Sequence, residues 1–456
     1  MLNGWTSVSA TARRSMSVSD RSRRLAALLL PVLALTLPSC ARTAQDELWS
    51  LTLSTPGRDM LYDLATSADA VYAVGELSPT ATEAPATPTP GWSGKVVKVS
   101  LSGEILWTRD LPGATPGMAL TALAYESGVI VGGITGEPER PWFARSAVLS
   151  RFSSDGTVLW SRSISRLRHS VLYDLALHNG KIYATLGSTD GYNTTSTEAP
   201  FTGRSSVSII ELSPSGEILA EHVVGRVLSQ DSSYVLVSAG ENLVYVGDTI
   251  NPTTGSVESV VIAFAAGFAP VWRITVSDTV LAGVGAVAVG PGPDPVIYIG
   301  GHFRERLTIA GNSFLGSSPV RRNGFITSIT SDGTVLDTSV LLPTEGGDWA
   351  SVYAIAPTGP TTALAVGEFL TAVKIGPQVL RSVGDLDSMY LALSPSGLSA
   401  RSTGTLVRDA ALRIVPLDDC TVVLASIAGG GRNDPNGENV VLSRRSVRGL
   451  SGYTCR

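Results

Sequence analysis

The chain has 456 residues, a formal net charge of −5, 43% apolar residues and only 16% charged residues, with 47 Gly and 26 Pro. A charge this small, with no Lys/Arg cluster after the N-terminal segment, argues against a nucleic-acid partner. The abundance of turn-forming residues is typical of an all-β protein.

The first forty residues predict an export signal. Basic residues at positions 21–24 precede the apolar run Leu25–Leu37, which is shorter than the roughly twenty residues that span a bilayer. The stretch that ends at Cys40 resembles the lipobox of bacterial lipoproteins, and this resemblance implies a lipid anchor on Cys40. Ala41 favours the outer membrane over retention at the inner one. A plain secretory signal and a twin-arginine signal are the alternatives, and the start codon is Met1 or Met16.

After a short tether at residues 41–46, a repeat fills residues 47–456. Its clearest copy is Ala147–Ile164, where two alternating apolar/polar runs flank Ser154-Asp155-Gly156-Thr157. Asp-Gly suits a two-residue hairpin turn because Gly adopts a positive φ freely. We find seven copies of this hairpin, with turn glycines at Gly103, Gly156, Gly216, Gly267, Gly333, Gly397 and Gly449.

Each repeat supplies four short strands, A to D. The A strand is clearest in Leu61–Ala65, the B strand in Val71–Gly75, and the C and D strands flank the turn glycine. Four-stranded meanders repeated seven times predict a seven-bladed β-propeller of four-stranded antiparallel blades. Blades packed face to face bury surfaces that a single sheet cannot, and the B strands are apolar on both faces. Two β-sandwich domains are the alternative.

The ends of the chain predict how the propeller closes. Glu47–Leu53 precedes the first A strand but copies a D strand, whereas the last repeat has only a poor D strand, Leu450–Arg456. We therefore expect the N-terminal strand to complete the seventh blade, which removes an open sheet edge. The alternative is that the last residues form that D strand themselves.

The connections between B and C strands are long, and in a propeller they emerge on the same face as the D-to-A crossovers. Long insertions on one face favour a binding surface there. Two of them are rich in Thr and Pro, a composition that equally fits low-complexity padding of an exported protein. The long connections are Ser78–Gly94, Gly136–Arg145, Ser188–Gly203, Phe303–Asn323 and Leu370–Ser388.

Catalytic and metal-binding motifs are not found: the sequence has no Gly-rich phosphate loop, no HExxH and no GxSxG. No cofactor or metal is expected, because the histidines lie in different repeats or at unrelated spacings. Asp63 and Asp174 recur in A strands, and we interpret them as structural residues that line the axial channel or cap a neighbouring strand. The four histidines are His169, His178, His222 and His302.

Tryptophans and cysteines are assigned structural roles. Four tryptophans lie in D-type strands, where we expect them to pack between adjacent blades; stacking against carbohydrate is the alternative. Cys420 and Cys455 are expected to form a disulfide that fixes the C-terminal tail to the last blade, with two free thiols as the alternative. The four tryptophans are Trp49, Trp107, Trp160 and Trp272.

The segment Val296–Asp337 resembles the β-propeller repeat of bacterial exported proteins and lipoproteins. Gly301-His302-Phe303, Phe325-Ile326 and the Gly333 turn carry the resemblance, and Asp337 stands where other repeats have Trp. The resemblance extends over residues 47–450. It implies a fold and provides no catalytic residues.

These features predict a non-enzymatic lipoprotein of the cell envelope, whose propeller binds a protein or a polysaccharide and which contacts the membrane only through its lipid anchor. One alternative resembles the quinoprotein-type propeller scaffolds of outer-membrane assembly. Another is a propeller hydrolase or lyase acting on extracellular glycans, which requires acidic and basic residues that converge at the axial mouth.

Overall fold

The B strands are buried on both faces, as their continuous apolar pattern predicts. Val71, Ala73, Val244 and Val246 are all 0% exposed, because neighbouring sheets cover both sides of these strands. A computed structural model of the chain describes residues 47–53, 59–77, 93–114, 116–137, 140–190, 205–226, 234–250, 257–277, 282–344, 346–404, 409–418, 420–428 and 439–447. All of them belong to one compact unit.

Among the described residues, thirty β-strands make up almost all of the regular structure. Two sheets have four strands each. The first contains β2 (Asp59–Thr66), β3 (Ala70–Leu77), β4 (Ser93–Ser100) and β5 (Ile105–Asp110). The second contains β28 (Asp409–Asp418), β29 (Thr421–Ala428), β30 (Asn439–Ser446) and the N-terminal β1 (Glu47–Leu53).

Two further sheets have eight strands each. One contains β6 (Gly117–Tyr125), β7 (Gly128–Glu137), β8 (Arg140–Phe152), β9 (Val158–Ile164), β10 (His169–His178), β11 (Lys181–Thr189), β12 (Ser205–Leu212) and β13 (Ile218–Gly225). The other contains β18 (Ala282–Val289), β19 (Ile297–Phe303), β22 (Asn323–Ile329), β23 (Val335–Thr344), β24 (Ala350–Gly359), β25 (Thr362–Ile375), β26 (Gln378–Ser394) and β27 (Gly397–Thr403).

The remaining sheet has six strands, and the one short helix in the described part of the chain lies in a turn of that sheet. Its strands are β14 (Tyr234–Ala239), β15 (Asn242–Ile250), β16 (Val257–Phe264), β17 (Pro270–Ser277), β20 (Arg306–Ile309) and β21 (Asn312–Leu315). The 3₁₀ turn covers Ala266–Phe268. The protein is therefore an all-β propeller of four-stranded antiparallel blades.

The described ranges form five sheets, not the seven separate blades that the repeat predicts. Two pairings between successive groups of four strands account for the difference: His169 of β10 pairs with Arg145 of β8, and β23 pairs with the far end of β25. A third pairing, of Val276–Ser277 in β17 with Thr308–Ile309 in β20, adds the hairpin β20–β21 to the sheet of β14–β17 without joining two groups. The repeat pattern in the sequence marks each group of four but contains no sign of these joining contacts.

Three long connections that the sequence suggests to be loops are formed largely by strands. The ends of β7 and β8 cover Gly136–Arg145, apart from residues 138 and 139, which lie outside the described residues. Phe303–Asn323 folds into the hairpin β20–β21. Leu370–Ser388 is the continuation of β25 and β26, which pair from Ile375 and Gln378 back toward the sheet. These segments are therefore paired strands rather than irregular loops, because their backbone amides and carbonyls form hydrogen bonds with each other.

The N-terminal strand pairs where the closure hypothesis places it. Strand β1 lies antiparallel to β30, with Trp49 opposite Arg444 and Leu53 opposite Val440. The alternative D strand, Leu450–Arg456, lies outside the described residues. Around the axis, the first strand of each group contacts the next in the order β2, β6, β10, β14, β18, β24 and β28, and β28 contacts β2.

The four D-strand tryptophans lie between adjacent blades, as predicted. In each case the indole Nε1–H donates a 2.9 Å hydrogen bond to a carbonyl in the C–D turn of the next group of strands, and the ring packs under the turn glycine. The donor–acceptor pairs are Trp49 to Leu101, Trp107 to Ser154, Trp160 to Pro214 and Trp272 to Ser331. We call this arrangement the indole junction.

Candidate functional site

Asp63 and Asp174 hold equivalent positions in β2 and β10, each the first strand of a group of four. Each directly follows a β-bulge, where the pairing register shifts between Leu61 and Asp63 in β2 and between Leu172 and Asp174 in β10. The Oδ1 atom of each aspartate accepts a hydrogen bond from the next backbone amide, at 2.8 Å for Asp63 and 2.9 Å for Asp174. A bulge re-aims the side chain that follows it, and here it directs the carboxylate toward the neighbouring first strand.

The second carboxylate oxygen joins that neighbouring strand. Asp63 Oδ2 accepts the amide of Ala122 in β6 at 2.9 Å, and Asp174 Oδ2 accepts the amide of Leu236 in β14 at 2.7 Å. Both carboxylates therefore cap an adjacent strand. This confirms the structural interpretation of the recurring aspartates.

Thr121 lies between the two aspartates and couples them. Its Oγ1 is 3.3 Å from Asp63 Oδ2 and 3.1 Å from Asp174 Oδ1. One hydroxyl has a single proton to donate, so it serves one carboxylate at a time. Burial, and secondarily the charge of Asp63, raises the pKa of Asp174 to about 7. Burial also raises the pKa of Asp63, against the lowering influence of Arg413.

Arg413 completes this axial cluster from β28. Its Nε donates to the carbonyl of Tyr62, and its Nη1 donates to the carbonyl of Leu412 at 2.8 Å. Burial lowers the pKa of Arg413, while Asp63 and Asp174 act to raise it. The guanidinium links β28 to β2 and partly offsets the charge of the two carboxylates. The ionisable groups at the axis thus serve strand-to-strand bonds.

A second polar cluster lies between β22 and β24, at the end where the B–C connections emerge. The guanidinium carbon of Arg322 lies 3.8 Å from the ring centroid of Trp349. The backbone fixes this pair: the Arg322 amide donates to the carbonyl of Asp348 at 2.9 Å, and the Ala350 amide donates to the carbonyl of Arg322 at 2.8 Å. Arg322 and Trp349 are both half-buried, so the cation–π contact reaches the surface.

Tyr353 and Glu368 form the floor of that cluster. The Tyr353 hydroxyl donates to Glu368 Oε1, and Glu368 is only 1% exposed. Burial, followed by the charge of Glu368, raises the pKa of Tyr353. Burial lowers the pKa of Arg322, and Tyr353 and Glu368 oppose that shift. A buried acid thus lies near a half-buried cation, and its charge favours the charged form of Arg322. Sequence reasoning missed this cluster, although Trp349 is a tryptophan outside the D-strand pattern.

The predicted lipidation and disulfide residues are only partly described. Cys40 and Cys455 lie outside the described residues. Cys420 lies in the turn between β28 and β29 and is disulfide-bonded, with a partner outside the described residues. The pairing of Cys420 with Cys455 and the lipid on Cys40 stay predictions.

The histidines are dispersed in the fold. His178 Nδ1 lies 2.8 Å from the hydroxyl of Ser238, and the ring of His222 stacks on Phe268. His169 is buried and His302 is half-buried, each in a different sheet. In the described ranges, no group of three or more His, Cys, Asp or Glu side chains is placed to hold a metal ion. Nor does any helix there have the length and apolar character needed to cross a bilayer.

No protein-family model and no curated protein matches the chain. Solved structures are similar over most of its length but at low identity. The extracellular domains 1–2 of Drosophila Semaphorin 1b match with a TM-score of 0.44 and 9% identity, covering 87% of this chain and 86% of that one. YCF48 bound to a D1 peptide matches with a TM-score of 0.40 and 10% identity, covering 89% and 97%.

A third similar structure is the hemagglutinin-neuraminidase ectodomain of parainfluenza virus 5, with a TM-score of 0.40 and 8% identity over 89% of this chain and 87% of that one. These three structures are of different kinds of protein. None of these similarities assigns a function to the chain.

Proposed function

We propose that this protein is an exported lipoprotein whose β-propeller serves as a non-enzymatic scaffold that binds a protein or a polysaccharide at the cell envelope. The observation that carries the proposal is how the polar groups are distributed. The axial carboxylates are used to cap strands, whereas a half-exposed cation–π pair lies at the end of the long connections. This distribution of polar groups fits a binding function better than catalysis at the axis.

The scaffold is proposed to be a closed propeller of seven blades. Support comes from the cyclic contacts among the seven first strands and from the pairing of β1 with β30. The hydrogen bond from Arg413 to the carbonyl of Tyr62 joins β28, the first strand of the last group, to β2, the first strand of the first group. Closure in this form removes the open edge through which a sheet would otherwise aggregate.

Arg322 and Trp349 are the proposed centre of the binding surface. Arg304 lies close enough to Arg322 to lower its pKa, so two cations share this part of the surface. Guanidinium groups bind carboxylate and phosphate groups through paired hydrogen bonds. Acidic groups on a protein or on an envelope polysaccharide therefore suit the site.

Two other functions compete with this one. A scaffold for outer-membrane assembly would dock on a membrane protein through a sheet edge or an inter-blade groove. A hydrolase or lyase would need an acid and a base free to act at the axial mouth, and Asp63 and Asp174 are the nearest candidates. Their use in capping Ala122 and Leu236 favours the non-enzymatic function.

The test is crosslinking of the full-length protein in its native envelope, followed by identification of the crosslinked partner. We expect a specific partner with the wild type and its loss with Arg322→Ala. Arg306→Ala is the matched control, because Arg306 is an exposed arginine of the adjacent hairpin. Release of sugars from envelope glycans by the purified protein, lost in Asp174→Asn, would instead favour the enzyme.

A further inference from the structure

The indole junction recurs in four places and follows one rule. The ring lies directly under the turn glycine of the next blade, so a Cβ on Gly216 would lie 2.7 Å from the ring of Trp160 and one on Gly333 would lie 2.8 Å from that of Trp272. The indole N–H donates to the carbonyl two residues before that glycine. Each junction is therefore a pocket shaped for an indole and filled by one.

Three D strands, β13, β23 and β27, have no tryptophan. The turn glycine beyond β27, Gly449, lies outside the described residues. Trp160 lies opposite Arg151, and the equivalent pairs are Ala220 with Glu211 and Asp337 with Ser328. The junction beyond Ala220 is filled by Phe268, a residue of the turn between β16 and β17. There Phe268 has φ 62°, and its ring stacks on His222 at 5.1 Å and meets Tyr183 edge-on at 6.0 Å.

The junction beyond Asp337 has no such replacement. Gly397, the glycine of the turn beyond Asp337, lines an open space together with Asp337. The space under this turn is a cleft of about 520 Å³, lined by Tyr298, Ser328, Asp337 and Pro395 among others. That volume is within the range of ligand pockets, roughly 300–1,000 Å³. The indole rings that fill the four equivalent junctions indicate that this cleft accepts an indole ring.

We propose that this cleft binds a tryptophan side chain of a partner polypeptide. The indole lies under Gly397, as the indoles of Trp160 and Trp272 lie under theirs, and its N–H donates to the carbonyl of Pro395, the residue two before the glycine. Asp337 is exposed at the rim, so a Lys or Arg next to the tryptophan is favoured. The cleft is on the short-turn face, and the inference does not rest on the proposed function.

The test is the binding of N-acetyl-tryptophanamide to the full-length protein, measured by ligand-observed NMR. We expect saturable binding that weakens at least tenfold in Asp337→Trp, whose own indole fills the cleft. N-acetyl-leucinamide, which has no ring N–H, is expected to bind at least tenfold more weakly than the indole probe. A Lys-Trp-Lys peptide is expected to bind more tightly than N-acetyl-tryptophanamide, with that gain lost in Asp337→Asn.

Stability provides an independent measurement. Asp337→Trp is expected to raise Tm by about 2 °C or more because it restores a buried ring, whereas Ala220→Trp is expected to lower Tm because Phe268 already occupies that junction.

If Asp337→Trp does not fold, Ser328→Phe blocks the cleft from the opposite strand and is expected to weaken binding equally. No saturable binding to the wild type, or equal binding to the blocked variant, would overturn the proposal. So would binding of free indole without binding of either tryptophan peptide probe.

Discussion

The carboxylate of Asp63 accepts a 2.9 Å hydrogen bond from the backbone amide of Ala122, which lies in the next first strand around the axis. Asp174 and Leu236 repeat the relationship at 2.7 Å. Because backbone amides at the inner edge of a blade have no strand beyond them to bond with, an aspartate from the neighbouring blade supplies the acceptor.

Replacing this acceptor is expected to destabilise the fold. Asp63→Ala leaves the buried amide of Ala122 without its acceptor, and we expect the free energy of unfolding to fall by about 1–3 kcal/mol. Urea denaturation measures the change. Asp294→Ala, at an exposed turn, is the control and should change stability by less than about 0.5 kcal/mol. Equal stability of the two variants would show that the carboxylate does not act as a cap.

Stability should depend on pH through Asp174. Its pKa is raised to about 7 in the folded protein, above the ordinary value of about 3.9 expected in the unfolded chain. Between these two values the folded state holds a proton that the unfolded state has lost, so the stabilising contribution is complete at low pH and is lost as pH rises toward 7. We expect wild-type stability to fall relative to Asp174→Asn by up to about 1.4 kcal/mol per pH unit between pH 4.5 and 7. Parallel pH profiles of the two proteins would contradict this assignment.

The turn glycines are expected to differ in their tolerance of alanine according to what lies beneath them. Gly216 and Gly267 have nearly the same positive φ, 79° and 73°, so the backbone cost of alanine is similar in both. A Cβ at Gly216 would overlap the ring of Trp160, whereas one at Gly267 would meet nothing within 4 Å. We expect Gly216→Ala to lower the free energy of unfolding by about 1–3 kcal/mol more than Gly267→Ala. Equal losses, measured by thermal unfolding, would mean that the ring moves aside freely.

The lipid anchor is a prediction about the chain before the propeller. Cys40→Ser is expected to abolish incorporation of labelled palmitate and to release the protein from the membrane fraction. Cys420→Ser is the matched control, since it replaces a disulfide-bonded cysteine of the propeller and leaves the export segment unchanged. Label that persists in Cys40→Ser would refute the anchor.

The sequence predicts the fold well because its repeat is local. Hairpin turns such as Gly156 and Gly333 have the positive φ that their position requires, and strand alternation marks the buried faces. The joining of blades into five sheets could not be predicted, because it depends on single contacts such as His169 with Arg145 that leave no repeated pattern. The cluster of Arg322, Trp349, Tyr353 and Glu368 was missed for a related reason. These residues come from three separate strands or turns, and only the packing of two blades brings them together.

The absence of tryptophan at Asp337 is visible in the sequence, but its consequence is not. The absence of tryptophan at Ala220 is compensated by Phe268, a residue of the facing turn with an uncommon positive φ. Only the three-dimensional structure distinguishes the filled junction from the open one.

The most direct test of the binding scaffold is site-specific photocrosslinking in the native envelope. A benzophenone side chain at Asp348, exposed beside Trp349, reports on the long-connection end, and one at the exposed Asp155 reports on a C–D turn distant from the open cleft. We predict a discrete adduct from position 348 that disappears in Arg322→Ala, and none from position 155. Adducts from position 155 alone, or the same adducts from both positions, would contradict a binding surface at Arg322 and Trp349.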